Sequence, residues 1–388
     1  MNKIKCVVQD YAWGKADAIP ELLGNVPSGK PQAELWMGAH PKAPSLLNGR
    51  PLDELIAANP VDLLGSAVAD RFGQLPYLFK VLAAGQPLSI QAHPSLDQAV
   101  AGYDKENAEG IDLGAADRTY RDANHKPELI CALTPFVAKC GFRSLGLTRQ
   151  LFSGLDHLTV EPLRELLARD SPDSEVLAGV LAWLLRLNAG EATELVESVV
   201  RAAAVDPDPR FAPDLEWTNK INDFFPGDIG VVVALLLNHI VLEPGQAVFL
   251  AAGNLHVYLQ GVGMELMANS DNVVRGGLTP KHIDVEELLR VVDCTPIDPP
   301  IQQAESPAHQ FDSPVPEFSL TRLLLDPSTE HAVEPTSAEI LIATDGVATL
   351  SNQTQMLSLN RGEVAFIGAN DGPYKVTGRG TVFRAAVG

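Results

Sequence analysis

Nine histidines, His40, His93, His125, His157, His239, His256, His282, His309 and His331, are the side chains best suited to proton transfer near neutral pH or to metal binding. The segment Gln91-Ala92-His93-Pro94 stands out among them. If it ends a strand, positions 91 and 93 point to one face, because side chains alternate. An amide oxygen and an imidazole then converge. Glu128 follows in the turn-like stretch Asn124-His125-Lys126-Pro127-Glu128, and His256 ends the chain segment before Val257-Tyr258. Two histidines, a glutamate and a glutamine suit a divalent transition metal with open positions. Imidazole with carboxylate favours zinc or a similar ion, and the lack of cysteine partners argues against a closed structural zinc site. Taken alone, Gln-x-His is a weak signal, and Glu128 reads equally well as a solvated carboxylate. A second cluster runs from Asn269 to Lys281 and carries Asp271, Arg275, Gly276, Gly277 and Lys281. It reads either as a solvated loop with a helix cap or as an anion site, with Arg275 and Lys281 supplying positive charge.

Elements that could position these groups change in texture along the chain. Up to about residue 145, Pro and Gly recur every few residues between short apolar runs such as Leu75 to Ala84 and Leu88 to Ala92, a pattern of strands and turns with a few short helices. From about 146 to 224, the stretches Glu161 to Arg169, Ser174 to Leu187 and Glu191 to Ala204 carry apolar residues at helical spacing. Ser174 is placed to start a helix, and Asn188-Ala189-Gly190 to stop one. The wholly apolar run Ile229 to Leu237 reads as a strand buried on both faces. Ala247 to Ala252 and Leu255 to Leu259 read as further strands, and Thr279-Pro280 as the start of a helix. Residues 295 to 315 read as a linker or extended crossover. Beyond them lie short strands: Phe318 to Leu325, Ala338 to Ala343, Val347 to Leu350, Val364 to Ile367 and Thr381 to Ala386. One pattern recurs, with Leu242, Gly245, Phe249 and Ala252 echoed 117 residues later by Leu359, Gly362, Phe366 and Ala369. A turn glycine followed by an alternating strand, twice, suggests a duplicated β unit.

Composition narrows the functions open to such a chain. In 388 residues, 29 basic and 49 acidic side chains give a net charge of −20. That surface repels phosphate backbones and anionic lipid, so neither nucleic acid nor a membrane surface is an expected partner. The longest apolar run, Val176 to Leu185, is far short of the roughly 20 residues needed to span a bilayer. The opening MNKIKCVVQDYAW lacks a signal-peptide pattern. Four scattered cysteines, Cys6, Cys131, Cys140 and Cys294, suit a reducing cytoplasm.

Taken together, QAHP with HKPEL, then GNLHVYL, then MELMANSDNVVRGGLTPKHID closely resemble the type I mannose-6-phosphate (phosphomannose) isomerases. Tyr11-Ala12-Trp13-Gly14 and the stretch Glu34 to Pro41 do so as well, and the resemblance covers Tyr11 to about Val292. It implies a fold that is mainly β with a helical insertion: two cupin-type jelly-roll β domains plus an inserted all-α domain. The corresponding boundaries are 1–145 with 225–310 for the metal-binding unit, 146–224 for the helices and 311–388 for a metal-free β unit. It also implies one Zn2+ per chain, held by Gln91, His93, Glu128 and His256, with Arg275 as the catalytic arginine. The implied reaction interconverts mannose 6-phosphate and fructose 6-phosphate, moving a proton between adjacent carbons through a cis-enediol. Lys80, Ser89, Lys126 and Lys281 are then candidates for the phosphate, and Ser89 shares a strand face with Gln91. Glu265, Asp271, His125 and Lys126 are candidates for proton transfer, with Asp271 and Lys126 preferred. Trp13, Glu34 and Trp36 are expected to wall the pocket or simply to pack rather than to act on substrate, and His40 either to lie near the site or to be structural. The expected partner is a small sugar phosphate acting on a cytoplasmic monomer. Two other classes stay open: a sugar-phosphate-binding regulator without catalysis, and an iron oxygenase, for which the Gln91 amide is an unusual ligand.

Overall fold

The computed structural model describes residues 1–155, 158–205 and 208–388, so His157 lies outside them. Most strands fall into two antiparallel sheets. The first, with 11 strands among the described residues, is organised on the long strand His256–Ala268. The C-terminal part of this strand pairs with Tyr77–Ala84 on one side and Glu128–Ala132 on the other. Its N-terminal part pairs with Phe136–Phe142 and, at His256, with Ile90–Ala92. Gly261 lies between the two parts at φ +136, where a Cβ would stand 2.7 Å from Phe136 Cα, so only glycine permits this close crossing. Tyr77–Ala84 is buried at all eight positions, as its unbroken apolar character around Lys80 requires.

Ten strands make up the second sheet, centred on Glu339–Ser351 and Tyr374–Ala386. The expected strands Ala338 to Ala343 and Val347 to Leu350 are parts of the single strand Glu339–Ser351, carried through by a register shift between Ala343 and Asp345. Residues near the N-terminus join this sheet: Asn2–Lys5 pairs with Val364–Ile367, with Ile4 opposite Val364, and then with Leu46–Leu47. The sheets pack face to face through one buried cluster, with Phe79, Val81 and Leu266 from the first and Ile340, Phe366 and Phe383 from the second. The recurring pattern has a physical counterpart. Gly245 and Gly362 both take positive φ, +89 and +83, and their amides donate to Ala132 and Ala343 at 2.8 and 2.7 Å.

Between Leu145 and Leu236 the described chain is helical, including Leu145–Ser153, Asp173–Leu185, Ala189–Ala203 and Ala212–Phe224. Their apolar faces form one cluster with Ile90 and Ala92, so the helices pack directly behind the strand that carries Gln91. Three sequence expectations change here. The run Ile229 to Leu237 is helix Gly230–Val233 and a 3-10 turn, Ala234–Leu236, with a strand only from Leu237. An all-apolar run has no periodicity to separate a buried helix from a buried strand, and the Asp228 carboxylate caps the turn by accepting from Gly230 N–H at 2.7 Å. Thr279-Pro280 does not start the next helix. Asp228 also accepts from the amides of Leu278 and Thr279, holding the segment open, and the helix begins at Val285 with Asp284 as its cap. Asn188 both follows one helix and caps the next in a capping box with Glu191. The proline-rich stretch is an ordered crossover: Ile301–Gln303 joins the first sheet and Ala308–Phe311 the second. Among the described residues no helix is long and apolar enough to cross a membrane.

Candidate active site

Sheet register creates the site. On three neighbouring strands, Arg275, Gln91 and His256 lie side by side, because Gln91 pairs with both of the others. A second row places Lys80 opposite Glu265, and Glu128 stands opposite Met267. The segment Asn269 to Lys281 is therefore not wholly loop. Val274–Gly277 is a strand against Ile90–Ala92, and Gly277 lets it approach the helical region, since a Cβ there would meet Gly230 Cα at 2.7 Å.

His93, Glu128 and His256 converge, with their ligand-capable atoms within 4.8 Å of one another and all three residues buried. Nε2 of His93 lies 3.3 Å from one carboxylate oxygen of Glu128, and Nε2 of His256 lies 3.4 Å from the other. Each histidine has its tautomer set from behind. His93 Nδ1 donates to the Asn272 carbonyl at 2.8 Å, and His256 Nδ1 to the Asn254 carbonyl at 3.0 Å. Both Nε2 atoms thus present lone pairs to a carboxylate that is itself an acceptor. Nε2 of His93 and Oε2 of Glu128 are buried without a hydrogen-bond partner. Such an arrangement of acceptors is costly unless a cation lies among them. A divalent ion satisfies all of them at once, so the donor set fits one. The Gln91 amide lies 3.4 Å from His256 Nε2, and rotation of that amide turns its oxygen to the same point. Burial alone would raise the Glu128 carboxyl, but Lys126, 3.2 Å away, and the two imidazoles hold it well below its usual range. Burial and Lys126 hold His93 down at about 4.

A cavity of about 760 Å³ opens above this cluster. Gln91, Glu128, Lys126, Lys80, Ser89, Glu265, Asp271, Arg275 and Lys281 all line it, as do Trp13, Glu34, Trp36 and His40. His93 and His256 sit behind Glu128 rather than on the wall. Lys80 is locked between Glu265 at 2.6 Å and Glu34 at 3.0 Å, and Glu34 also accepts from Trp36 Nε1 at 2.7 Å. Burial would lower the Lys80 ammonium, but these carboxylates outweigh it and keep it charged. Burial pushes Glu265 upward against the pull of Lys80. Asp271 pairs with Lys42 at 2.8 Å and lies 4.0 Å from His40.

His125 does not join this set. Its Nε2 meets Glu317 at 3.0 Å, away from the cavity wall. In its place the structure supplies Arg121, which sequence reasoning passed over. Its amide donates to Asn272 Oδ1 at 2.7 Å, and its guanidinium donates to the Leu113 and Ala115 carbonyls. Arg275 is lowered by burial and by Arg121; Lys281 is lowered chiefly by Arg275, with burial and Arg121 adding to it. Three cations thus share one part of the cavity, and no carboxylate among the described residues pairs with them. Asn272 was also missed. It is 1% exposed, and its side chain ties Arg121 and the Asp122 and Asn124 carbonyls to the backbone that positions His93. The sequence signal for Arg121 was the polar run Arg121-Asp122-Ala123-Asn124 just before His125, and for Asn272 its place in the Asn269 to Lys281 segment.

Fold and site define a class: packed antiparallel sheets carrying a buried two-histidine, one-carboxylate cluster at the floor of a polar, partly cationic pocket. Residues 1–145 match the family model "Phosphomannose isomerase type I, catalytic domain", and 308–387 match "Mannose-6-phosphate isomerase, cupin domain". The chain is 42% identical over 393 residues to mannose-6-phosphate isomerase of Escherichia coli (strain K12), covering 99% of both chains. It is 37% identical to the Homo sapiens mannose-6-phosphate isomerase, covering 95% of this chain and 93% of that one. A solved variant of phosphomannose isomerase from Salmonella typhimurium superposes with TM-score 0.92 at 40% identity, covering 100% and 99% of the two chains. A zinc-bound mannose 6-phosphate isomerase superposes with TM-score 0.90 at 39% identity and the same coverage. The chain belongs to the type I phosphomannose isomerase family.

Proposed function

We propose that this chain is a zinc-dependent aldose–ketose isomerase that interconverts D-mannose 6-phosphate and D-fructose 6-phosphate by proton transfer through a cis-enediol. The observation that carries this reading is the cluster of buried acceptors on His93, Glu128 and His256, beside a cavity in which Arg121, Arg275 and Lys281 have no carboxylate partner among the described residues. Gln91, His93, Glu128 and His256 would hold one Zn2+ per chain. When bound, that ion supplies fixed positive charge beside the sugar oxygens and so lowers the cost of negative charge on them.

The chain's own residues carry the other tasks. Arg275 lies next to Gln91 in register, so its guanidinium can face the oxygen that gains charge in the enediol, with no reorganisation needed during reaction. Lys126 and Asp271 are assigned to ring opening and proton transfer. Lys126 is held at the cluster by Glu128, and Asp271 is held on the cavity wall by Lys42 and His40. Lys80, fixed between Glu34 and Glu265, is better suited to sugar hydroxyls than to a phosphate, since its charge is already matched. Glu265 lies beside it as a hydroxyl acceptor. The 6-phosphate is assigned to Lys281 and Arg121 with Ser89, because the two cations lack an acidic partner. The fold is read as two cupin-type jelly rolls, 1–145 with 225–310 and 311–388, with 146–224 as an inserted all-α domain. A monomer in the cytoplasm completes the proposal.

The test is turnover of mannose 6-phosphate in deuterated water, before and after chelation, with zinc added back. Activity lost to chelator, restored by zinc and accompanied by deuterium at C1 of the product supports the metal site and the proton-transfer route. Restored turnover without deuterium at C1 counts against the enediol route. No turnover by folded, zinc-loaded protein overturns the isomerase reading and favours a binding protein for sugar phosphates.

A further inference from the structure

A second cavity, of about 460 Å³, lies where the two sheets meet, and it shares no lining residue with the first. Its walls come from corresponding places in the two sheets. The Pro244-Gly245 turn faces it from one side and Arg361 from the other, just before the matching Gly362. Thr134 and Thr344 each tie two strands of the wall through a hydroxyl: Thr134 Oγ1 accepts from Val262 N–H at 3.0 Å, and Thr344 Oγ1 donates to the Thr381 carbonyl at 3.3 Å. The volume falls within the range of small-molecule sites.

Charge is what marks this cavity. Arg322, Lys15 and Arg361 line it, and none of their side chains has an ion pair or hydrogen bond among the described residues. Arg322 is partly buried, and its Nε is fully enclosed without a partner. Its guanidinium rests on the turn, where a Cβ on Gly245 would come within 2.4 Å of Nη1, so the glycine makes room for it. In a chain with 49 acidic side chains, a half-buried guanidinium with no acidic partner and an enclosed Nε is unusual. The acids of the cavity, Asp17, Glu21 and Asp345, are all exposed and are paired with none of these cations. Arg322 and Lys15 are thus half-buried in the cavity, and Arg361 stands on its rim with the carboxylates.

We infer that this cavity binds a small phosphorylated polyol, with its phosphate on Arg322, Lys15 and Arg361 and its hydroxyls on the rim carboxylates. A phosphate supplies the acceptors that Arg322 lacks, and hydroxyl donors satisfy carboxylates that would repel a second anion. The site is separate from the proposed active site and stands or falls without it.

Calorimetric titration of the zinc-loaded protein with glycerol 3-phosphate and, separately, inorganic phosphate tests this. The combined variant Arg121→Gln/Lys281→Gln removes the phosphate grip of the first cavity, and one site per chain is expected to remain. In that background, Arg322→Gln and Arg361→Gln should each weaken the remaining site by about tenfold. Asp345→Asn should weaken glycerol 3-phosphate and leave inorganic phosphate unchanged. Arg361→Gln alone should leave mannose 6-phosphate turnover within about twofold of the parent. Should Arg322→Gln fail to fold, the exposed Arg361 gives the same reading. No remaining site, or a site indifferent to Arg361→Gln, overturns the inference, and equal losses for both probes on Asp345→Asn overturn its polyol part. If the Arg121→Gln/Lys281→Gln variant loses no site relative to the parent, the phosphate assignment in the first cavity fails instead.

Discussion

Glu128 in the first sheet and Glu339 in the second are both buried, and the two are treated in opposite ways. In the second sheet, Glu339 is 0% exposed and fully matched: Tyr374 donates to it at 2.5 Å, Arg384 Nε at 2.9 Å, and Arg384 Nη2 to the other oxygen. In the first sheet, Glu128 is 1% exposed, and its two nearest imidazole nitrogens carry lone pairs. One carboxylate holds strands together and asks for nothing more. The other is left under-satisfied, and the polar pocket opens at that point. Completeness of hydrogen bonding, rather than burial or charge alone, separates the structural group from the chemical one.

Glu128→Gln should separate the two roles most sharply. Its amide can donate to an imidazole Nε2, so stability of the metal-free protein should stay within about 1 kcal/mol of the parent in denaturant titrations. Zinc content, measured by atomic absorption, should collapse, and turnover should fall roughly 10³-fold or more. A stable variant that keeps its zinc would break the comparison. The mirror experiment is Arg384→Met, which strands Glu339. Unfolding free energy should drop by about 3–5 kcal/mol, while kcat of the folded fraction stays unchanged. Asn272→Ala acts one shell out from His93. It loosens the backbone carbonyl that orients the imidazole, and competition with a chelator should show zinc affinity reduced about 10–100-fold.

The smallest effect concerns another buried ionic group, where Lys139 and Arg143 share Asp214 beneath the helices. Next to it, burial and Lys139 lower His239 from an ordinary value of 6.5 to about 4. The unfolded chain therefore binds the extra proton between those values. Stability from this residue is complete above about pH 6.5 and is lost as pH falls toward 4. His239→Gln should flatten the decline of the urea midpoint between pH 6.5 and 4.5. An unchanged slope would mean that another group carries it.

Much of the site could be read before any coordinates because residue type already limits chemistry. His93, Glu128 and His256 were candidates by residue type, and the family resemblance singled them out with Gln91; the structure brings the two histidines and the glutamate into one cluster. Arg275 and Lys281 stood out as cations in an acidic chain. Arg121 and Asn272 could not be read, because each has meaning only through the other, 151 residues away. His125 sits in the right motif but turns toward Glu317, a choice made by tertiary packing. For the fold, amphipathic periodicity located the helices of 161–204, whereas the apolar run from Ile229 carried no period and was misread. Pairing of the N-terminal strand with the second sheet left no local trace at all.

That pairing has a consequence for how the molecule is made. Ile4 finds its partner at Val364, 360 positions later. At about 5–20 residues per second, roughly 20–70 s of synthesis separate the two strands. During that interval an edge of Asn2–Lys5 waits uncovered, its hydrogen bonds open to any other strand. A nascent chain must therefore shelter its first strand until nearly its last has been made, so a ribosome stalled late in the message would release a product whose first sheet is whole and whose second cannot close.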